Sequence, residues 1–307
     1  MHRAVRYETF GGPEVLELSE IPEPRAGAGE VRLRVAAVGL NPMDWMLSSM
    51  PEVARQFGVA LPSGFGTDFA GTVDDVGEGV SGFAVGDRVY GSATGRAAAE
   101  LLVVDPSGAD TLLHTPEEIG DEVASTLAIA GLTASAALAA IDVEADDTVL
   151  IGGAAGGVGV FAAQLAKLAG ARVIGTASER TRDFLRQFGA EPVAHGPGLP
   201  DRVREMDTGG VHAAADLFGT ETAEAALALG VPPSRISTIA AGPDAPGGVH
   251  ATGAAHARPE DLKRITDAIV AGELAVPIAA TFPVEQIREA VQLQSGRHVH
   301  GKVVVTL

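Results

Sequence analysis

This sequence predicts an α/β fold built on a doubly wound parallel sheet, with an all-β module in front of it. Three observations carry the prediction. Between residues 148 and 177 a β-branched run (Val149, Leu150, Ile151), a glycine-dense turn, a segment with apolar residues at helical spacing (Val160, Phe161, Leu165, Leu168) and a second strand pattern follow one another. That is a β-turn-α-β unit. Downstream of it, strand and helix patterns alternate, the signature of a parallel sheet covered on both faces. Upstream, residues 1–118 carry short strand patterns broken by Gly, Pro and Asp.

Taken in order, the first module offers strands at 4–7, 16–19, 30–38, 69–76, 88–91 and 98–104, with helical period only at 51–58. Turn signals separate them, such as Gly11-Gly12-Pro13 and Gly77-Glu78-Gly79. From Pro116 the texture changes. Thr115-Pro116-Glu117-Glu118 opens a predicted helix over 117–127, with Pro in the first turn and acids at the positive end. A small-residue helix over 130–141 leads into the strand at 148. Beyond the glycine turn come strand 172–177, helix 179–188, strand 192–194, a helix from about Pro200, strand 211–217, helix 221–229, strand 235–240 and a strand near 249–253. Helices over 259–272 and 284–294 and the strand 302–307 read as a return to the first module. The expected division is therefore 1–118 with 257–307 in one domain and 119–256 in the other.

Composition narrows the function. A chain of 307 residues has length for about two domains. The formal charge of −18 argues against nucleic acid and anionic membranes as partners, since both select basic surfaces. No apolar run approaches the ~20 residues of a membrane span, and the opening residues lack a signal-peptide core, so the expected location is cytoplasmic. There is no cysteine, which removes disulfides, thiolate nucleophiles and thiolate metal sites together. Of eight histidines only His298 and His300 stand close, without a nearby carboxylate, and no metal site is expected.

Within the turn, Ala154, Gly156 and Gly159 stand at the spacing of the dinucleotide fingerprint, with Ala in place of its first Gly. Gly156 lets the backbone approach a pyrophosphate, Gly159 lets the helix pack on the strand, and the helix N-terminus offers N–H groups to the anion. Cofactor choice lies at the end of the second strand, Gly175-Thr176-Ala177-Ser178-Glu179-Arg180. An Asp or Glu there takes the ribose hydroxyls of NAD; counted along the strand, that position is Ala177. Ser178 and Arg180 suit a 2′-phosphate instead, a charge-assisted contact of roughly 1.5–3 kcal/mol. NADPH is thus expected over NADH. A shift of register along the strand end would make Glu179 the ribose ligand, its other role being a first-turn acid.

With these residues read, the chain resembles the zinc-independent quinone oxidoreductases of the medium-chain dehydrogenase/reductase superfamily, the group that includes zeta-crystallin. The likeness covers essentially the whole length. It rests on Gly39-Leu40-Asn41-Pro42-Met43-Asp44, Gly66-Thr67-Asp68-Phe69-Ala70-Gly71-Thr72-Val73, Val76 to Val80, Val85 to Val89, Gly131 to Ala134, Ala154 to Gly159 and Gly301-Lys302-Val303-Val304. The resemblance implies a GroES-like β domain carrying the substrate cleft, a Rossmann domain inserted into it, and NADPH between them. Alcohol dehydrogenases of the superfamily hold zinc with cysteine and histidine, so the lack of cysteine agrees with the zinc-free branch.

Carried over by position, the resemblance implies that Asn41 lies by the nicotinamide, that Asp44 is structural first and a site residue second, and that Thr133 approaches the nicotinamide. It further implies that Ala155, Gly156, Gly157 and Val158 bind the pyrophosphate, that Ser178 and Arg180 take the 2′-phosphate, and that Ala154, Gly159 and Thr176 belong to the same cofactor site. His195 falls where relatives place a tyrosine on the adenine; it either stacks there or is an exposed loop histidine. Many relatives carry a tyrosine two residues after the Asp of Asn-Pro-x-Asp, where this chain has Met46. Trp45 and Met46 then either wall an apolar substrate pocket or pack under it.

The expected activity is NADPH-dependent hydride transfer to a quinone or an enone. Alternatives are an enoyl or ketone reductase acting on a polyketide or acyl thioester, and an NADPH-binding sensor or structural protein. Relatives of this kind commonly form homodimers through sheet edges, for which 249–253 is the candidate strand.

Overall fold

The computed structural model describes residues 1–206, 209–241 and 245–307. They divide into two units, one formed by Met1–Ile129 with Ile278–Leu307 and one by Ala130–Pro277. The first unit is mostly strand: β1 (His2–Tyr7), β2 (Glu17–Ile21), β3 (Val31–Gly39), β4 (Ser63–Gly64), β5 (Asp68–Val76), β6 (Arg88–Ser92), β7 (Leu101–Val104) and β8 (Thr111–His114). Short helices interrupt it at α1 (Pro42–Ser49), α2 (Pro51–Gln56) and α3 (Asp121–Ala124), and α4 (Ala128–Ala139) leads out of it. The second unit alternates: β9 (Thr148–Gly152), α5 (Gly159–Leu168), β10 (Arg172–Ala177), α6 (Arg182–Gln187), β11 (Glu191–Ala194), α7 (Leu199–Arg204), β12 (Ala213–Asp216), α8 (Glu221–Ala228), β13 (Ile236–Thr238), β14 (His250–Ala251) and α9 (Asp261–Val270). The chain then re-enters the first unit with β15 (Ile278–Pro283), α10 (Ile287–Ser295) and β16 (Lys302–Thr306).

In the second unit six strands lie in the order β11-β10-β9-β12-β13-β14, every pairing parallel. Order reverses on either side of β9, so its carboxyl end is a topological switch point, where open α/β sheets bind ligands. The doubly wound sheet is the one the alternation predicts. Its β9 is buried at all five positions, as a strand covered by helices must be. In the first unit a seven-stranded sheet runs β15-β16-β3-β5-β6-β8 with β7 on β3, and β1 pairs antiparallel with β2 and β4. β3 buries alternate residues (Val31, Leu33, Val35) into a core with Val5, Phe65, Phe69 and Val305. The late return is explicit in register: β16 pairs antiparallel with β3, Val305 opposite Val38.

The structure differs from the sequence expectations at several elements. The helix expected over 117–127 shrinks to α3, because Arg88 donates to the carbonyls of Pro116 (3.4 Å) and Ile119 (2.7 Å). The hydroxyls of Ser125 and Thr126 then take the carbonyls of Glu122 and Val123, which ends the helix within a turn. The strand expected over 98–104 is β7 alone, with Ala99 in an isolated bridge to Ala4. α1, β4, β8 and β15 carry no signal strong enough to be read. The return expected at 257 comes at Ile278, because α9 is packed within the second unit, where Ile265 stands so close to Gly131 that a β-carbon on that glycine would lie 3.0 Å from it.

Candidate active site

The candidate site residues fall into two groups, one in each unit. In the second unit the site is made mostly of backbone. β9 ends at Gly152 and the chain turns through Gly153 at φ 68°, a left-handed conformation suited to glycine. Gly153 N–H donates to the Thr176 hydroxyl (3.1 Å), which ties the turn to the end of β10. A β-carbon on Gly159 would stand 2.2 Å from the Gly153 carbonyl oxygen and 2.6 Å from Ala154, so this position admits only glycine. A β-carbon on Gly156 would meet only the Gly153 carbonyl, at 3.3 Å, leaving an open cradle outside it. Ala154, at the fingerprint's first position, is fully buried, and a β-carbon on Gly175 would come within 2.9 Å of its methyl. The alanine is accommodated because the facing strand position is glycine. Ala155 is buried, while Gly157 and Val158 are half-buried where α5 begins. Residues with this shape fit a pyrophosphate against the N-terminus of α5.

The end of β10 clarifies the cofactor question. Gly175 pairs with Ile151 and the strand stops at Ala177, so no carboxylate occupies its last position. Ser178 follows in extended conformation, its hydroxyl 3.2 Å from that of Thr181. Glu179 is exposed, with its carboxylate 3.5 Å from Arg182 Nε, and Arg180 is exposed beside it. His195 is an exposed residue after β11, and its N–H donates to the Ala177 carbonyl at 3.3 Å, which sets it next to the strand end that carries Ser178.

Sequence reasoning missed Asp216. This buried carboxylate at the end of β12 lies opposite Gly152 and accepts four backbone N–H groups, from Phe218 (3.1 Å), Gly219 (2.9 Å), Thr222 (2.8 Å) and Ala223 (3.1 Å). It caps α8 and shapes the loop beside the glycine turn. The only signal was an Asp six residues before a Thr that starts a helical pattern. Thr133 is buried on α4.

The group in the first unit is made of side chains and is fully enclosed. Asn41 precedes α1, Pro42 fills its first position, and the Asp44 carboxylate accepts the Asn41 N–H at 2.8 Å, half of a capping box. The other Asp44 oxygen takes the Thr67 hydroxyl at 2.7 Å. Asn41 Nδ2 donates to Asp68 (2.9 Å) and to the Gly39 carbonyl (3.3 Å), while its Oδ1 accepts from Lys302 Nζ at 2.6 Å. Lys302 also donates to the Leu40 carbonyl, and Asp68 accepts the Ile129 N–H. Both hydrogens of the Asn41 amide are thereby used, and its orientation is fixed. Burial pushes the Asp44 carboxyl up to about 6 and the Asp68 carboxyl up to about 7, against the opposing pull of their hydrogen bonds and of Lys302. The same burial lowers Lys302, with both carboxylates opposing. Thr67, Asp68 and Lys302 are the residues of this group that sequence reasoning did not single out, although all three stand in the motifs it quoted.

Trp45 packs, half-buried, against the first unit's core, and its buried indole N–H has no hydrogen-bond partner among the described residues. Met46 is half-buried on the same helix. Among the described residues no group of three or more His, Asp and Glu could hold a metal ion, and no helix is long and apolar enough to cross a membrane.

Comparison with known proteins extends these observations. Residues 27–168 match the alcohol dehydrogenase GroES-like domain, and residues 157–259 match the zinc-binding dehydrogenase family. A quinone oxidoreductase of Pseudomonas aeruginosa is 39% identical over 193 residues, which cover 62% of this chain and 57% of that protein. The chain thus spans little more than half the length of that relative. The solved structure of the quinone oxidoreductase from Coxiella burnetii is 29% identical, covers 100% of this chain and 99% of that one, and superposes with a TM-score of 0.87. A mycobacterial structure complexed with NADPH is 28% identical over the full length of both chains, with a TM-score of 0.86. The chain belongs to the medium-chain dehydrogenase/reductase superfamily and is similar to its quinone oxidoreductases.

Proposed function

We propose that this protein is an NADPH-dependent oxidoreductase that reduces a quinone or the activated C=C bond of an enone. The observation that carries the reading is the glycine turn between β9 and α5, joined through Thr176 to a strand that ends in Ala177-Ser178 with Arg180 two residues on. Ala154 to Gly159 and Thr176 would hold the pyrophosphate, Ser178 and Arg180 the 2′-phosphate, and His195 the adenine. Glu179, whose carboxylate reaches Arg182, leaves the strand end without an acid to repel that phosphate. Similarity to quinone oxidoreductases, and to a mycobacterial protein complexed with NADPH, supports the same assignment.

When bound, NADPH supplies a hydride, two electrons with one proton, and solvent supplies the second proton that completes a hydroquinone or a saturated ketone. The chain's contribution is placement. On this reading Asn41, fixed by Asp68 and Lys302, and Asp44 are the first unit's residues for the nicotinamide and Thr133 is the second unit's, and Trp45 with Met46 lines the substrate side. Met46 offers no phenolic proton, which favours acceptors that are already polarised. The β-rich unit carries the substrate residues and the parallel-sheet unit the cofactor residues. A homodimer would join two such sheets at β14, the outermost and exposed strand of its sheet; light scattering on the purified protein measures that directly.

Loss of NADPH absorbance with a panel of quinones and enones tests the activity. Turnover with at least one of them is expected. Tight NADPH binding with no turnover on any would point to a sensor or structural role, and turnover confined to acyl thioesters would point to a pathway reductase.

A further inference from the structure

The loop between β11 and α7, residues 195–198, is held far more tightly than a surface turn requires. Arg202, on α7, spreads one guanidinium over four consecutive carbonyls. Its Nε donates to Ala194 at 3.0 Å, Nη2 to His195 at 3.1 Å and Gly196 at 2.8 Å, and Nη1 to Pro197 at 2.8 Å. From the other side the Glu221 carboxylate, on the first residue of α8, accepts the Gly196 N–H. Below, His195 N–H is anchored on the Ala177 carbonyl. Gly196 and Gly198 have φ of 92° and 81°, so the segment is built from residues that would otherwise sample many conformations. The turn already closes with its own bonds, Leu199 N–H to Gly196 and Arg202 N–H to Gly198. Arg202 therefore adds what closure does not need, a fixed backbone under an exposed His195 beside Ala177 and Ser178. A planar fork with five donors suits this task, and a lysine's single point charge does not.

We propose that Arg202 is a positioning residue for the adenine end of the cofactor, acting through the 194–197 backbone to hold the His195 ring where the nucleotide meets it. The inference rests on the dinucleotide reading above. Holding the loop in its bound form lowers the ordering cost of binding, so the effect appears in affinity for the adenine half and not in turnover at saturating cofactor.

The test is calorimetric titration with adenosine 2′,5′-bisphosphate and with 5′-AMP, on the wild type, Arg202→Gln, Arg202→Lys, Glu221→Ala, His195→Ala and the Arg202→Gln/His195→Ala double variant. Arg202→Gln is expected to weaken both probes about fivefold or more, with Arg202→Lys rescuing only part and Glu221→Ala showing a smaller loss in the same direction. The double variant is expected to bind within about twofold of His195→Ala alone, because a residue that acts through another adds nothing once that one is gone. Melting curves check that each variant is folded; should Arg202→Gln not fold, Glu221→Ala in the same cycle decides. Wild-type affinity in Arg202→Gln, or losses that add fully in the double variant, would overturn the proposal. The parent reading fails separately. If the wild type binds 5′-AMP as tightly as the bisphosphate, the NADPH preference falls while the cycle with 5′-AMP still judges Arg202; if it binds neither, both fall.

Discussion

The glycine turn of the second unit and the polar cluster of the first are shaped by opposite means. Around β9 the shape comes from missing side chains. Gly159 and Gly175 leave room for backbone and for one methyl, and an anion would meet N–H groups that the fold itself presents. Around Asn41 it comes from side chains alone: two carboxylates, one ammonium, one amide and one hydroxyl, all buried and bonded to one another. The first device tolerates any surroundings that keep the turn. The second is an all-or-nothing network, because each member removed leaves a buried polar partner without its bond. Fragility should therefore concentrate in the cluster, and selectivity in the turn and the strand end beside it.

The largest effect expected is from Lys302→Met. It leaves Asp44 and Asp68 enclosed without their cation and should destabilise the first unit by about 3–5 kcal/mol. Urea unfolding followed by the fluorescence of Trp45, the single tryptophan of the chain, reads that unit. A loss below about 1 kcal/mol would mean that the cluster is not a unit. Gly159→Ala comes next. Its methyl would overlap the Gly153 carbonyl, which should cost about 1–3 kcal/mol and abolish NADPH binding. Retained binding would show that the turn tolerates rearrangement. Arg180→Gln should leave stability unchanged and raise KM for NADPH by about tenfold or more while NADH is unaffected, the loss of one charge-assisted bond.

The smallest effect is a slope. Burial raises the folded-state Asp68 carboxyl from 3.8 to about 7, so the folded protein holds a proton there that the unfolded chain has released. Stability contributed by that proton is complete below about pH 4 and is lost as pH rises towards 7. Asp68→Asn should flatten the fall in melting temperature between pH 5 and 7, leaving the shallower part due to Asp44. An unchanged slope would show that Asp68 does not titrate in this range.

The same contrast explains what could be read from the chain. The turn and the doubly wound sheet were legible because their constraints are local, with strand, glycines and helix lying within 30 residues of one another. Register at Ala177 follows from counting along one strand, whereas the bond that Thr176 makes to the turn does not. The cluster was not legible as a cluster: Asn41 meets Asp68 across 27 residues and Lys302 across 261, and no spacing rule connects them. α1 escaped for a related reason, since its buried face is Asp44, Leu47 and Ser48, and polar residues hide the helical period. The helix over 117–127 was over-read because its start signal is genuine, but Arg88, almost 30 residues upstream, competes for its carbonyls. Arg202 carried no motif at all; its role appears only once four carbonyls are seen around it.

One measurement bears most directly on the assignment: kcat/KM for NADPH and for NADH, taken side by side with a single reducible quinone. A preference for NADPH of about tenfold or more, collapsing in Arg180→Gln, is the expected result. Equal use of the two cofactors, or a preference for NADH that disappears in Glu179→Ala, would contradict it and return the end of β10 to a ribose-binding acid.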